Sequence, residues 1–203
     1  MEYSSLAISG SDLSRQVAAA LLFEKAALRH VNLARTRLTG LRAVDARFDA
    51  CDMSGADWDK ARFRRVVWSG CRLWGAALLD GYFDDVLFEN CGAEKAVFAS
   101  GKFKSVRFEK CDLRGASFQE ADLSGVVFHQ CDLSQADLRG TRLKDTDLRG
   151  SVIDGVQVSV KELQGAMIEP AQAIVVAGLL GLIVRERDES LPGAPSTRAG
   201  GAA

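Results

Sequence analysis

A register of five constrains this chain more than any other feature. The 28 positions from Phe23 to Val158 whose numbers end in 3 or 8 hold ten Phe, eleven Leu, two Trp, one Met, one Ile, one Val and two Ala. All ten phenylalanines of the protein fall in this set. Two positions earlier the residue is usually small: Ala26, Val31, Thr36, Ala46, Cys51, Ala56, Ala61, Val66, Cys71, Ala76 and Gly81, with Leu41 as an exception. Asp often stands between the two, as at Asp122 and Asp137. Such a unit fits neither the 3.6-residue period of a helix nor the alternation of a strand.

A second period is nested in the first. Cys51, Cys71, Cys91, Cys111 and Cys131 recur every twenty residues, as do Val66, Val86, Val106 and Val126, and the alanines from Ala56 to Ala136. Twenty residues are four units, so the chain returns to the same place after four short sides. A coil with large and small residues pointing inward satisfies both periods, and stacked coils pair backbone to backbone at about 4.8 Å. Phe88, Phe108 and Phe128 are then expected to stack in one internal column.

On these residues the sequence resembles the pentapeptide-repeat family, whose pattern is A(D/N)LXX. The resemblance covers residues 23–158 with no loop insertion. It implies an all-β solenoid, a right-handed quadrilateral β-helix, here of about seven coils and roughly 34 Å long. Upstream, Tyr3, Ile8, Leu13 and Ala18 keep the phase while Leu6, Gln16 and Leu21 break the small positions, so residues 1–22 read as a distorted cap coil over the open end. Downstream the phase is expected to fail after Val158, with Lys161 where a small residue belongs. Glu169-Pro170 then opens a short helix from Ala171 to Leu180, ended by Gly181 and followed by extended Leu182-Ile183-Val184. Residues 159–185 form this C-terminal segment, and the charged, then Pro/Gly/Ala/Ser-rich residues 186–203 read as a disordered tail.

The helix is apolar nearly all round and must be buried. The rod's end covers one side, and a second copy of the segment is the expected cover for the other. Ile168, Ala173, Ile174, Ala177, Leu180 and Leu182 are the expected homodimer interface. Residues 165–182 also resemble the C-terminal dimerisation segment of the MfpA- and Qnr-type members, and Asp12-Leu13-Ser14-Arg15, Phe23 and Val31-Asn32-Leu33 resemble the start of the MfpA type.

Chemistry is sparse. His30 and His129 lie five coils apart, so no nucleophile, base and orienting group converge, and no catalytic residue is expected. A straight row of thiols cannot wrap a tetrahedral zinc, so the cysteines read as small buried hydrophobes; no metal or cofactor is expected. The net charge of -1 argues against direct nucleic-acid binding through overall positive charge. The longest apolar run, Ala173 to Val184, is too short to span a bilayer, and no leader is visible, so no membrane partner and a cytoplasmic location are expected.

Charges sort by side. Beside Phe63, Phe83 and Phe103, outward residues alternate as Arg64, Asp84, Lys104 and as Arg65, Asp85, a face expected to neutralise itself. From the second coil onward the sides carrying Leu73 and Leu78 hold Asp52, Asp57, Asp59, Asp80, Glu94, Asp112, Glu120, Asp132, Asp137 and Asp154 against Lys60, Arg72, Lys95, Arg114 and Arg139, while the first coil adds Arg35 and Arg37. MfpA- and Qnr-type proteins are dimeric rods resembling B-DNA that bind type II topoisomerases. The resemblance implies a partner of that class, DNA gyrase or topoisomerase IV, met by the acidic sides and modulated or protected against quinolones or other poisons. A non-catalytic β-helical scaffold for an unknown protein partner is the alternative.

Overall fold

The computed structural model describes residues 6–179 and 181–185; residues 1–5, Leu180 and the tail expected over 186–203 lie outside the described residues. The chain forms a β-solenoid with one short helix. Its strands are β1 (Leu6–Ser9), β2 (Val17–Ala19), β3 (Leu22–Glu24), β4 (Ala26–Arg29), β5 (Arg37–Thr39), β6 (Arg42–Asp49), β7 (Arg62–Ser69), β8 (Tyr82–Glu89), β9 (Lys102–Glu109) and β10 (Val127–His129); α1 spans Pro170–Leu179. All strand pairs are parallel and offset by twenty residues, in the order β1-β4-β6-β7-β8-β9-β10, with β3 also on β6 and β2 on β5. Single bridges at the same offset stitch the remaining sides. One lane runs unbroken through Ala7, Ala27, Arg47, Val67, Leu87, Arg107, Val127, Asp147 and Met167.

The five-residue register becomes geometry through the last residue of each unit. Every position ending in 0 or 5 from Gly10 to Gly155 has φ between +48° and +74°, and twenty of these residues are not glycine. A side chain in this region costs about 1–2 kcal/mol. The cost is offset because the turned-out N–H donates to a carbonyl of the next coil, as Lys60 does to Leu79 at 2.8 Å and Lys95 to Arg114 at 3.0 Å.

The large and small positions both face inward and are buried. Parallel stacking at strand spacing brings like rings face to face. Phe88 and Phe108 lie 4.6 Å apart at 4°, and Phe108 and Phe128 lie 5.1 Å apart at 7°. Phe83–Phe103 and Phe98–Phe118 stack the same way, at 4.6 and 5.0 Å. The rings decide their neighbours too: a Cβ on Gly81 would meet the Phe83 ring at 2.7 Å, and one on Gly101 the Phe103 ring at 2.8 Å.

Two details differ from the sequence reading at the downstream end. The phase returns after Val158, because Ala166-Met167-Ile168 forms one more unit, with Met167 bridged to Asp147. The helix begins at Pro170, its expected first position, but it is not simply apolar. Gln172 is buried; its Nε2 donates to the Leu148 and Ser151 carbonyls, both at 2.7 Å, and its Oε1 accepts from the Glu169 N–H at 2.9 Å. At the other end of α1, Gly181 (φ +75°) lets its N–H reach Gly178 and the Leu182 N–H reach Ala177, a Schellman closure.

Candidate functional site

The ten acids expected to face a partner divide by what holds them. Asp52, Asp112, Asp132 and Asp137 stand second in their units, where Oδ1 accepts the N–H two residues on, from Ser54, Arg114, Ser134 and Arg139 at 2.9–3.2 Å. Asp12, Asn32, Asp122 and Asp147 do the same, so the polar residue of the repeat is a turn former. Arg114 and Arg139 then close back on the same carboxylates, with Nε at 2.8 and 2.9 Å. These hydrogen bonds hold the Asp112 and Asp137 carboxyls below the usual carboxylate range.

Cations take up further charge. Arg72 reaches Asp52 at 3.4 Å, Arg114 also reaches Glu94 at 3.6 Å and Asp132 at 3.8 Å, and Lys60 lies 3.9 Å from Asp59. Asp57, Asp80, Glu120 and Asp154 are exposed and carry no ion pair among the described residues. Asp80 does not face an acidic surface, since Lys60, Arg62 and Lys102 line a groove with it.

The face beside Phe63, Phe83 and Phe103 needs a correction. Lys104 pairs with Asp84 at 3.4 Å, but Arg65 turns to Asp45, at 2.7 Å, rather than to Asp85. A third lane on this face, Arg42, Arg62, Tyr82 and Lys102, has no carboxylate within ion-pair distance among the described residues. Summing charge over the face hid this lane; reading each outward position as its own column reveals it. Sequence reasoning also passed over Trp74, which is 53% exposed.

The expected dimer residues split likewise. Ile168 packs on the last coil with Leu163, Ala166, Val175, Val176 and Leu179. Ala173 and Ile174 point outward, Ile174 being 60% exposed, and Ala177 is half-buried. Leu182 and Ile183 are exposed beyond the helix, and Leu180 lies outside the described residues. One side of α1 thus covers the rod and the other is apolar and open.

The model of the Pentapeptide repeat region matches residues 41–118 and 101–172, and that of Pentapeptide repeats (8 copies) matches residues 21–55. The chain belongs to the pentapeptide-repeat family. No match to a curated protein was found by sequence. Among solved pentapeptide-repeat structures, it is 21% identical to HetL, involved in heterocyst differentiation regulation in the cyanobacterium Nostoc sp. strain PCC 7120, over 80% of this chain and 86% of that one, with a TM-score of 0.45. It is 21% identical to trypsin-treated QnrB1, a plasmid-mediated fluoroquinolone resistance protein, over 90% of this chain and 100% of that one, with a TM-score of 0.40. A pentapeptide repeat protein of the Arabidopsis thaliana thylakoid lumen is 26% identical over 47% of this chain and 66% of that one, with a TM-score of 0.43.

Within this pentapeptide-repeat rod the cysteine ladder has a structural task. Each Sγ donates to the carbonyl twenty-three residues back, from Cys51 to Leu28 through Cys131 to Phe108, at 3.3–3.4 Å. Ser151 continues the column with the same bond to Phe128 at 3.0 Å. Among the described residues no group of three or more His, Cys, Asp or Glu is placed to hold a metal ion, and no helix is long and apolar enough to cross a membrane.

Proposed function

We propose that the protein is a non-catalytic rod that docks on a type II topoisomerase in place of a DNA duplex, as a homodimer joined through its C-terminal segment. The unbroken lane from Ala7 to Met167 carries the reading. A backbone locked at about 4.8 Å per level presents outward side chains at fixed spacing with little freedom to lose, which is what a rigid charged duplex offers its binding groove. Asp57, Glu120 and Asp154 are the free carboxylates that would stand for phosphates. The open apolar side of α1, around Ile174, favours a second copy of the same segment.

Gyrase is the probe. Its binding should fall with salt, yield to competing duplex DNA, and weaken about tenfold in Asp57→Lys/Glu120→Lys. Reversal of Asp84 and Asp85 on the opposite sides should change it little. Salt-independent binding without DNA competition overturns the reading. Light scattering should find a dimer, and Ile174→Glu a folded monomer; a monomeric unmutated protein at micromolar concentration removes the dimer.

A plain protein-binding scaffold is the second reading, favoured by the exposed Trp74. It gives salt-independent binding that is lost in Trp74→Ala.

A further inference from the structure

The unpaired cationic lane has a physical oddity. Arg42 and Arg62 are Cα partners in the β6–β7 pairing, so two guanidinium-bearing residues lie on adjacent levels. Like charges directly opposite destabilise a sheet. The other like-charged register pair among the strands, Glu89 and Glu109, is relieved: Ser69 Oγ lies 3.3 Å from Glu89, and Arg107 reaches Glu109 at 2.7 Å. Nothing among the described residues relieves Arg42 and Arg62. Below them the lane continues with Tyr82, 37% exposed, and Lys102, and it meets a carboxylate only at Asp122, which Arg142 takes at 3.6 Å.

This lane borders a hollow. Lys60, Arg62, Asp80, Gly81, Tyr82, Ser100 and Lys102 line a groove of about 380 Å³ at the corner of the rod. Three cations and two hydroxyls line it with a single carboxylate. Concave walls concentrate the field of such charges, and a guanidinium fork matches the oxygens of a phosphate.

We propose that this groove binds a phosphate-bearing small ligand, a proposal that goes beyond topoisomerase docking and stands without it. Arg62 and the two lysines would hold the oxyanion, with Tyr82 and Ser100 as hydroxyl donors. Asp80 would accept a hydroxyl or amine from the remainder of the ligand. The groove's own ends argue for a discrete molecule. The next hollow along the corner sets Glu120 and Asp122 against Lys102 and Arg142, with Arg142 already on Asp122 at 3.6 Å, so it offers a continuous phosphate backbone no excess of cations.

Calorimetric titration of the full chain with inorganic phosphate, pyrophosphate and AMP tests this, beside a short DNA duplex. At least one of the three small probes should saturate, and Arg62→Gln/Lys102→Gln should weaken it about tenfold or more. The same probe should raise the melting temperature of the unmutated protein but not of the double variant. These exposed residues carry no internal ion pair, so without ligand the variant should melt no lower than the parent, which separates lost binding from lost folding. Equal binding of phosphate and AMP assigns the site to the free oxyanion, and tighter AMP to an ester packed on Tyr82. Absence of saturable binding by all three small probes overturns the proposal. So does unchanged affinity in the double variant, or a duplex that outcompetes pyrophosphate in the groove.

Discussion

The block of strands β6 to β9 and the coils from Ala121 to Gln157 obey one register but hold it by different means. In the block, Phe and Trp fill the large positions of the strands except Ala43, and eight-residue strands run straight across a corner of the coil. Downstream, beyond Phe128 and the three-residue β10, Leu133, Leu138, Leu143, Leu148 and Ile153 fill the same places, Thr141, Thr146 and Ser151 take three of the small ones, and the pairing shrinks to single bridges. There the turn is held locally, by Asp122, Asp132, Asp137 and Asp147 accepting the N–H two residues on. The difference teaches that one backbone repeat is reached either from inside, by stacked rings, or from outside, by side-chain turns.

Breaking the inside of the block should have the largest effect. Phe108 is stacked on both faces, so Phe108→Ala should cost about 3–5 kcal/mol in denaturant unfolding. Leu138→Ala downstream should cost less, toward the low end of about 2–5 kcal/mol, and equal losses would erase the distinction. At the downstream end, Gln172→Ala strands the Ser151 carbonyl and leaves the Leu148 carbonyl with only the Ser151 N–H; it should cost about 1–3 kcal/mol, with α1 exchanging its amides faster.

Acid should separate the regions by their outsides. Hydrogen bonds from Arg114, Ser124, Arg139 and Arg149 hold Asp112, Asp122, Asp137 and Asp147 below the ordinary range. A carboxyl with a depressed folded pKa contributes stability above its unfolded value, near 4, and loses it as pH falls through the folded value. Hydrogen exchange below about pH 4 should therefore open the coils around Asp122 to Asp147 before β7 and β8; simultaneous opening would count against turn-held coils. The smallest effect belongs to the surface of the block, where Glu109→Ala, removing the exposed pair with Arg107, should cost under about 0.5 kcal/mol.

The inside of the rod was readable because burial writes itself as residue size: Phe88, Phe108 and Phe128 announce their column, and Cys51 to Cys131 announce theirs. The outside was less readable because an outward side chain answers to several demands at once. Asp132 and Asp137 read as net charge, while their first duty is to a backbone N–H. Positive φ at every fifth residue left only a partial mark, since Lys60, Asp80 and Arg65 occupy it as well as Gly55 and Gly75. Gln172 gave no periodic signal, being needed once, where the coil stops.

The constant twenty-residue offset makes the rod editable like a screw thread. Excising residues 92–111 removes one full turn, shortens the rod by about 4.8 Å and returns every later side chain to its old azimuth. Excising residues 121–125 instead advances everything downstream by a quarter turn. Phe128 would then fall beneath Phe103 rather than Phe108, and Val127 would follow Lys102 in the cationic lane. Length and angular facing are thus inherited separately, one in steps of twenty residues and the other in steps of five.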